Sequence, residues 1–286
     1  CYAGNFVNEA TGVLVIGGTG SRYWKSTNMT NYGTIEKNTS ATIAINPYVG
    51  CPPYSTVFNN TGTGVVNMGS GALSLYGSGT HSGTFNNSGT LNFHDTQVLA
   101  TSGNVTGAGA LNLIGTTTID IDYTFLLPVV NLTGTLTGSG KKTIPNGSTL
   151  NATGIISGTG DLEIAPGGAL NFTNPGANYF HNTIRNHGTA DWSIGDVSPC
   201  YAGNFVNEAT GLLVIGGTGS RYWKTTNMTN YGTIEKNTSA TIAINPYVGC
   251  PPYSTFFNNS GIIVAIGILN IGDAFSAPNA FINNGI

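Results

Sequence analysis

The stretch that decides the fold is residues 82–113, which read SGTFNNSGTLNFHDTQVLATSGNVTGAGALNL. It contains two corners of one kind, NNSG at 86–89 and NVTG at 104–107, in which Asn is followed by Gly after two residues. A strand that alternates apolar and polar residues follows each corner, at 91–93 and 111–113. Successive side chains of a strand point to opposite faces, so the apolar ones share a face. The segment therefore predicts short strands that each bury one face.

The same corner recurs along the whole chain, with spacings from 18 to 34 residues and a mean of about 25, which is a solenoid period. One turn of this size cannot bury its own apolar face, so turns must stack. We therefore predict an all-β parallel β-helix of about 12 rungs of roughly 25 residues. Asn at the corners suits left-handed backbone or stacked amide ladders. A β-sandwich array is the alternative, although sandwiches favour longer meanders. The corner glycines are at 12, 33, 62, 89, 107, 134, 154, 188, 211, 232, 261 and 285.

The composition restricts the class of protein. Glycine supplies 42 of 286 residues and charged residues only 7%, so the chain lacks the Glu, Lys and Ala of helical surfaces. The net charge is −3 with no basic stripe, which argues against nucleic-acid binding. The longest uncharged apolar run, 261–271, is too short to span a bilayer, so we expect no membrane insertion. Without an initiator Met or a leader, the sequence is expected to be a fragment or a processed chain.

A longer repeat contains several copies of the short one. Residues 1–62 return as 200–261, an offset of 199, with four differences: Val13/Leu212, Ser26/Thr225, Val57/Phe256 and Thr61/Ser260. We interpret 1–199 as a first repeat unit of about eight rungs, and 200–286 as the start of a second, near-identical unit in one continuous rod.

The cysteines follow the long repeat, as Cys1, Cys51, Cys200 and Cys250. No CxxC or Cys/His cluster accompanies them, which argues against zinc, and disulfides in an oxidising compartment are favoured over free thiols. Cys51 and Cys200 are about six rungs apart, nearly 30 Å at the usual strand spacing, whereas a disulfide needs Cα atoms within about 7 Å. We therefore predict the pairs Cys1–Cys51 and Cys200–Cys250. Pairing of Cys1 with a neighbouring molecule is the alternative.

The runs SGTFNNSGTLNFHD (82–95), NVTGAGALNL (104–113) and ISGTGDLEIAPGGALNFT (156–173) resemble the repeats of large bacterial surface proteins. These are the filamentous-haemagglutinin-like adhesins and the passenger regions of autotransporters. The resemblance covers most of the chain in style and implies a right-handed parallel β-helix at the cell exterior, with adhesive or scaffolding roles. It carries over no functional residue.

Groups that could support catalysis are sparse. The carboxylate pairs Asp120/Asp122 and Asp161/Glu163 have the spacing of one strand face, but only the doublet Lys141–Lys142 adds a basic cluster. We interpret both pairs as solvated strand faces. The histidines show no metal pattern, and the stretch from 181 to 192 is interpreted as a loop. The sequence therefore predicts no enzyme, no cofactor and no metal site.

The sharpest surface candidate is Arg22-Tyr23-Trp24-Lys25, which returns as Arg221-Tyr222-Trp223-Lys224. Aromatic side chains flanked by bases can stack on sugar rings or form a subunit contact. The competing interpretation is that alternate members enter the core, with Tyr inside and Trp outside or the reverse.

Together these features predict an extracellular structural and adhesive β-solenoid rod, part of a tandem-repeat surface or filament-forming protein. The expected partners are other copies stacked end to end, and cell-surface glycans. A polysaccharide-binding or polysaccharide-cleaving β-helix is the alternative. Carboxylates clustered on one solvent face of consecutive rungs would favour it.

Overall fold

A computed structural model describes residues 4–25, 27–45, 56–197, 203–224, 227–244, 256–271 and 280–283. These residues contain strands and turns but no helix, and therefore none long and apolar enough to cross a membrane. Every described strand pairing is parallel. The predicted all-β parallel solenoid is confirmed, and the β-sandwich alternative is wrong because a sandwich is built from antiparallel pairs.

The strands are short and are numbered in chain order. The first sixteen are β1 (Gly4–Asn8), β2 (Val13–Ile16), β3 (Arg22–Trp24), β4 (Thr27–Asn31), β5 (Thr34–Lys37), β6 (Ile43–Ile45), β7 (Phe58–Asn60), β8 (Val65–Met68), β9 (Ala72–Leu75), β10 (Gly79–His81), β11 (Thr84–Asn87), β12 (Thr90–Phe93), β13 (Thr96–Leu99), β14 (Asn104–Thr106), β15 (Ala110–Leu113) and β16 (Thr116–Ile119).

The remaining strands are β17 (Tyr123–Thr124), β18 (Val129–Leu132), β19 (Thr135–Thr137), β20 (Lys142–Ile144), β21 (Thr149–Ala152), β22 (Ile155–Ile156), β23 (Leu162–Ile164), β24 (Ala169–Phe172), β25 (Ala177–Phe180), β26 (Thr183–Asn186), β27 (Thr189–Asp191), β28 (Asp196–Val197), β29 (Asn204–Asn207), β30 (Leu212–Ile215), β31 (Arg221–Trp223), β32 (Asn227–Asn230), β33 (Thr233–Lys236), β34 (Ile242–Ile244), β35 (Phe256–Asn259), β36 (Ile262–Ala265), β37 (Leu269–Ile271) and β38 (Ala280–Asn283).

The chain forms two compact units, Cys1–Ile121 with Phe125–Thr137, and Asp122–Thr124 with Gly138–Ile286. Within each unit a strand pairs with the third strand after it, so one turn of the coil contains three strands. In unit 1 the three faces begin with β1, β2 and β3, and in unit 2 they contain β17, β21 and β22 with the strands stacked on them. The division at residue 200 into sequence repeats stays a prediction.

A column of apolar side chains shows how the turns share one core. Leu73, Leu91, Leu111 and Val130 stack in register on β9, β12, β15 and β18, and none is more than 1% exposed. The residues between them alternate outward, as the pattern of residues 82–113 predicts. Each turn is therefore buried by its neighbours rather than by itself.

A turn takes about 21 residues, fewer than the glycine spacing suggests. The register shows the range, from 18 residues between Gly79 and Gln97 to 31 between Thr34 and Val65. The glycine spacing overestimates the period because some turns contain no Asn-Gly corner. Even in the short turn from β10 to β13, all three residues of β10 pair with residues of β13.

Asparagine acts at the corners through its side chain. The Asn8 amide donates to Asn31 Oδ1 (2.8 Å) and to the carbonyl of Thr34 (3.0 Å), and the Asn31 amide donates to Asn60 Oδ1 (2.8 Å). The predicted ladder is confirmed. Left-handed Asn is wrong for the described residues, where the non-glycine residues with positive φ are Asp95 and Ser102. The buried amides instead donate to one another and to backbone carbonyls near the corners.

Glycine at the corners often serves close approach between stacked turns. A Cβ on Gly33 would collide with the carbonyl oxygens of Glu9 and Gly12, and one on Gly232 would collide with those of Glu208 and Gly211. The same requirement thus occurs in both copies of the repeat. Only Gly allows the backbone of the next turn to come this near.

Candidate functional site

The second copy of the aromatic motif lies on β31 and alternates across the strand. Trp223 is fully buried, Arg221 is 5% exposed and Tyr222 is 41% exposed. The Lys224 ammonium binds Asp196 Oδ2 at 2.7 Å and lies 5.2 Å from the centre of the Tyr222 ring. The interpretation in which Trp faces the core and Tyr faces solvent is therefore the right one. Of the four residues, Tyr222 is exposed and Lys224 is half-buried.

The core beneath this motif is aromatic. The Trp223 ring lies 5.2 Å from Trp192, 5.1 Å from Phe205 and 5.9 Å from Phe172, in edge-on arrangements. Arg221 lies 5.6 Å from the Trp192 ring and donates to the carbonyls of Trp192 and Gly216. Burial lowers the pKa of Arg221, which the more distant carboxylates of Asp191 and Asp196 partly offset.

The stretch from 181 to 192, interpreted from the sequence as a loop, contains two whole strands, β26 and β27. Ile184, Ala190 and Trp192 of this stretch are fully buried. Period-2 alternation of Ile184-Arg185-Asn186 and Ala190-Asp191-Trp192 was the signal for these strands. The polar residues of the stretch are therefore the outward half of an ordinary rung.

A pocket of about 530 Å³ lies beside Arg221. Three loops of unit 2 line it, one before β25, one before β28 and one before β31. We call it the junction pocket because its lining comes from both sides of residue 200. The lining residues are Pro175, Gly176, Ser193, Ile194, Gly195, Asp196, Gly217, Thr218, Ser220 and Arg221.

The junction pocket combines groups that bind polyhydroxylated ligands. Asp196 accepts the Tyr222 N–H at 3.0 Å and the Lys224 ammonium, which fixes its carboxylate at the pocket wall. Hydroxyls of Ser193, Thr218 and Ser220 and the backbone of three glycines supply further donors and acceptors. Concave sites with a few fixed polar groups are typical of small-ligand binding.

The first copy of the motif has the same side-chain alternation but no covering turn among the described residues. Arg22 is exposed, with Nε donating to the carbonyl of Gly17 at 3.2 Å, and Tyr23 is 60% exposed. Trp24 is half-buried and lies 4.9 Å from Phe6, the counterpart of the Trp223–Phe205 pair. Lys25 is exposed, with its ammonium 5.6 Å from the Tyr23 ring. The motif is thus present twice, and the second copy contributes Arg221 to the lining of the junction pocket.

The two carboxylate pairs occupy different positions. Asp120 and Asp122 do not lie on a strand face as expected, because β16 ends at Ile119 and β17 starts at Tyr123, where the chain bends. Asp161 and Glu163 share the outward side of the chain at β23, as the spacing predicts, and both are paired. Glu163 binds Lys141 at 2.9 Å, and Arg185 bridges Asp161 (2.9 Å) and Glu208 (3.1 Å).

Several basic groups are buried without a carboxylate. Lys37 donates to the carbonyls of Thr39 (2.6 Å) and Ser70 (2.5 Å), and Lys236 to those of Thr238 and Ile266. Burial lowers the pKa of both lysines, and the charge of Arg221 lowers that of Lys236 further. These lysines tie corner loops together, the role that amides play on the Asn ladder. The Lys142 side chain and the His81 imidazole are fully buried as well.

Within the part of the chain that the structure describes, no three His, Cys, Asp or Glu side chains are grouped so as to hold a metal. All four cysteines, Cys1, Cys51, Cys200 and Cys250, fall outside the described residues, so both predicted disulfides stay predictions.

No protein family and no curated protein matches this chain. Among solved structures, a crystal structure of a TibA fragment with TibC-catalysed hyper-glycosylation is similar at 13% identity, over 98% of this chain and 99% of that one. The TM-score is 0.34.

Proposed function

We propose that this chain is part of an extracellular structural and adhesive β-solenoid rod from a tandem-repeat surface or filament-forming protein. The observation that carries the proposal is the in-register parallel stacking, in which each turn completes the core of the next. Such an architecture extends by adding turns and presents long faces to solvent. The resemblance of residues 82–113 and 156–173 to bacterial adhesin repeats supports the extracellular, adhesive role.

The outward faces fit a scaffold that presents a passive surface. Asn131 donates to Asn112 Oδ1 (2.8 Å), and Asn112 donates to Asn92 Oδ1 (2.7 Å), so a half-buried amide ladder crosses three turns. Side chains that bond to one another along the stack lose little freedom on contact with a partner. Rigid, pre-ordered faces therefore suit an adhesive rod.

Surface display is tested by labelling intact source cells with antibodies against this chain. We expect labelling without permeabilisation, together with adhesion of beads coated with the purified chain to host cells or to one another. Electron microscopy of the native material should show fibres. Labelling that requires permeabilisation would overturn the extracellular assignment, and isolated compact particles would overturn the filament.

The second candidate is saccharide binding at the junction pocket. The observation that favours it is that Asp196, which lines the pocket, binds the Lys224 ammonium and the backbone N–H of Tyr222, whose ring is exposed. Aromatic faces beside fixed polar groups match the alternating apolar and hydroxylated sides of a sugar ring. Cleavage of a polysaccharide has less support, because Asp161, Glu163 and Glu208 are each committed to an ion pair.

A glycan array probed with the full chain tests this candidate, followed by titration of the strongest oligosaccharide. Tyr222→Ala should weaken binding by about tenfold, the loss expected for one stacking ring. The matched control is Tyr23→Ala, which removes the same residue where no junction pocket surrounds it, and should leave affinity unchanged. Equal losses for both variants, or no array signal, would contradict a site at the junction pocket.

A further inference from the structure

The turn formed by β1, β2 and β3 is nearly identical in sequence to the turn formed by β29, β30 and β31, yet the two differ in burial. Phe205, Leu213, Ile215 and Trp223 are fully buried, whereas the matching Phe6, Leu14, Ile16 and Trp24 are only half-buried. The neighbouring strands on one side are the same in both, since β4–β6 match β32–β34. The difference must therefore come from the other side.

In unit 2 the other side is covered by β26, β27 and β28. The register places Ile184 on Phe205, Ala190 on Leu213 and Val197 on Trp223. Among the described residues, no strand lies against β1–β3 in the corresponding position. Val13, Val15 and Tyr23 there are 63%, 61% and 60% exposed.

The uncovered turn contains a hollow, lined in part by the half-buried apolar residues named above. A cavity of about 530 Å³ is lined by Leu14, Ile16, Trp24, Ile43 and Ile45, together with backbone and polar neighbours. In unit 2 the Trp192 ring lies 5.2 Å from Trp223, the counterpart of Trp24, and donates its Nε1–H to the carbonyl of Gly195 at 2.7 Å. The hollow above Trp24 thus corresponds to the place that Trp192 fills in unit 2.

The groups that make the polar contacts of the covered turn are also present in the uncovered one. In unit 2 the N–H groups of Glu208 and Leu212 donate to the carbonyls of Asn186 and Gly188, both at 2.9 Å. Asn186 also donates its amide to Asn207 Oδ1 at 2.8 Å. The matching groups of the first copy are the N–H of Glu9 and Val13 and the side chain of Asn8, which the sequence preserves.

We propose that the surface of β1–β3 is a docking site for a turn with the sequence of residues 177–197, contributed by a second copy of the repeat. Its strands add in parallel to β1, β2 and β3 in the register of β26–β29, β27–β30 and β28–β31. The Trp192 side chain of the incoming turn fills the hollow above Trp24. Asp196 of that turn reaches Tyr23 and Lys25, which completes a second junction pocket.

Hydrogen exchange on the full chain tests the docking. A segment with the sequence 175–199 is added before Cys1, which reproduces the junction that precedes Cys200. Amides within residues 4–25 should then exchange at least about tenfold more slowly, as ladder amides of a covered strand do. Peptides from 4–25 and 203–224 are separable by mass because Val13 corresponds to Leu212.

The control is the same extension with Ile184→Asp and Ala190→Asp in the added segment only, since a buried unpaired carboxylate prevents stacking. It should leave residues 4–25 exchanging as in the unextended chain. A synthetic 175–199 peptide added to the unextended chain gives a second route to the same protection. The proposal is overturned if neither route slows exchange of 4–25, or if the Asp-bearing extension protects equally well.

A separate readout follows the completed pocket and rests on the proposed saccharide binding. In the extended chain the binding stoichiometry should double, and Tyr23→Ala should remove the added site. Slower hydrogen exchange with an unchanged binding stoichiometry would refute saccharide binding at the second pocket but support docking of the added turn. The two ideas therefore fail independently.

Discussion

The buried amide ladder of unit 2 runs through four asparagines, whereas that of unit 1 ends at a histidine. In unit 2, Asn186, Asn207, Asn230 and Asn259 bond in series at 2.8, 2.7 and 2.6 Å. In unit 1, Asn8, Asn31 and Asn60 do the same, and the next residue in register is His81. An Asn amide can donate and accept along the stack at every step, whereas an imidazole has one donor and one acceptor.

The histidine ends the ladder without leaving it unsatisfied. His81 Nε2 bonds Gln97 Oε1 at 2.8 Å, and Nδ1 accepts the backbone N–H of Asn60 at 3.4 Å. Only the neutral tautomer with its proton on Nε2 fits both partners. Rings of Phe85 and Phe93 lie 5.2 and 5.3 Å away. The comparison shows that a position in this buried ladder can be occupied by a side chain other than Asn, provided that it matches the hydrogen-bond donors and acceptors of the neighbouring turns.

The largest expected effect is on the unit 2 ladder. Asn207→Ala removes donations to Asn230, Gly211 and Thr233, which share the two amide hydrogens, and an acceptance from Asn186; the bond to Thr233 is part-buried and the others are buried. At about 1 kcal/mol for each hydrogen bond, the loss in free energy of unfolding is about 4 kcal/mol. Urea unfolding measures it. Asn8→Ala is the matched control at the same repeat position, and should cost about 1 kcal/mol less because it has one ladder neighbour. A larger loss at Asn8 would contradict the ranking.

The next largest effect is a pH dependence of stability that His81 introduces into the unit 1 ladder. Burial lowers the pKa of His81 to about 4, which the hydrogen bond to Gln97 only partly opposes. The unfolded chain therefore binds a proton first as the pH falls below about 6.5, and stability falls until about pH 4, by about 3 kcal/mol in total. Urea midpoints between pH 7 and 4 measure the loss.

His81→Asn is the control for that titration. It substitutes the residue used elsewhere on the ladder and removes the proton. The free energy of unfolding should then depend much less on pH between pH 6.5 and 4. A smaller dependence should remain, because the pKa values of His94 and His181 are also lowered. An unchanged pH profile would show that His81 is not the titrating group.

The smallest effect is expected for the ladder of Asn side chains that is only half-buried. Asn112→Ala removes two hydrogen bonds of this outer ladder, those with Asn92 and Asn131. Water can replace those bonds, so the expected loss is about 1 kcal/mol in the same urea experiment. A loss as large as that of Asn207→Ala would mean that ladder bonds matter irrespective of burial.

Period-2 alternation and the glycine corners were enough to predict the parallel coil, because each side chain of a stacked strand has only two environments. They could not decide which residue of Tyr23-Trp24 faces inward, since both rings suit a core and the strand has only three residues. His81 was overlooked as a ladder member, although HSG at 81–83 has the form of an Asn-x-Gly corner with His replacing Asn. Asp120 and Asp122 were misplaced because a short strand can end within an alternating pattern.

The junction pocket was beyond sequence reasoning for a different reason. Its walls come from loops about 20 residues apart, and their approach depends on the number of residues in each turn. The motif of Arg221 to Lys224 was found from its chemistry, whereas Asp196 and Trp192 become its neighbours only through register.

The stacking of β9, β12, β15 and β18 in equal register has an evolutionary consequence. Each turn presents the same backbone template above and below, so after a whole turn is deleted or duplicated in the gene the strands on either side can still pair. Recombination between similar turns then changes the length of the protein in discrete steps at little cost in stability. Length becomes a trait that selection can adjust separately from the chemistry of any single turn.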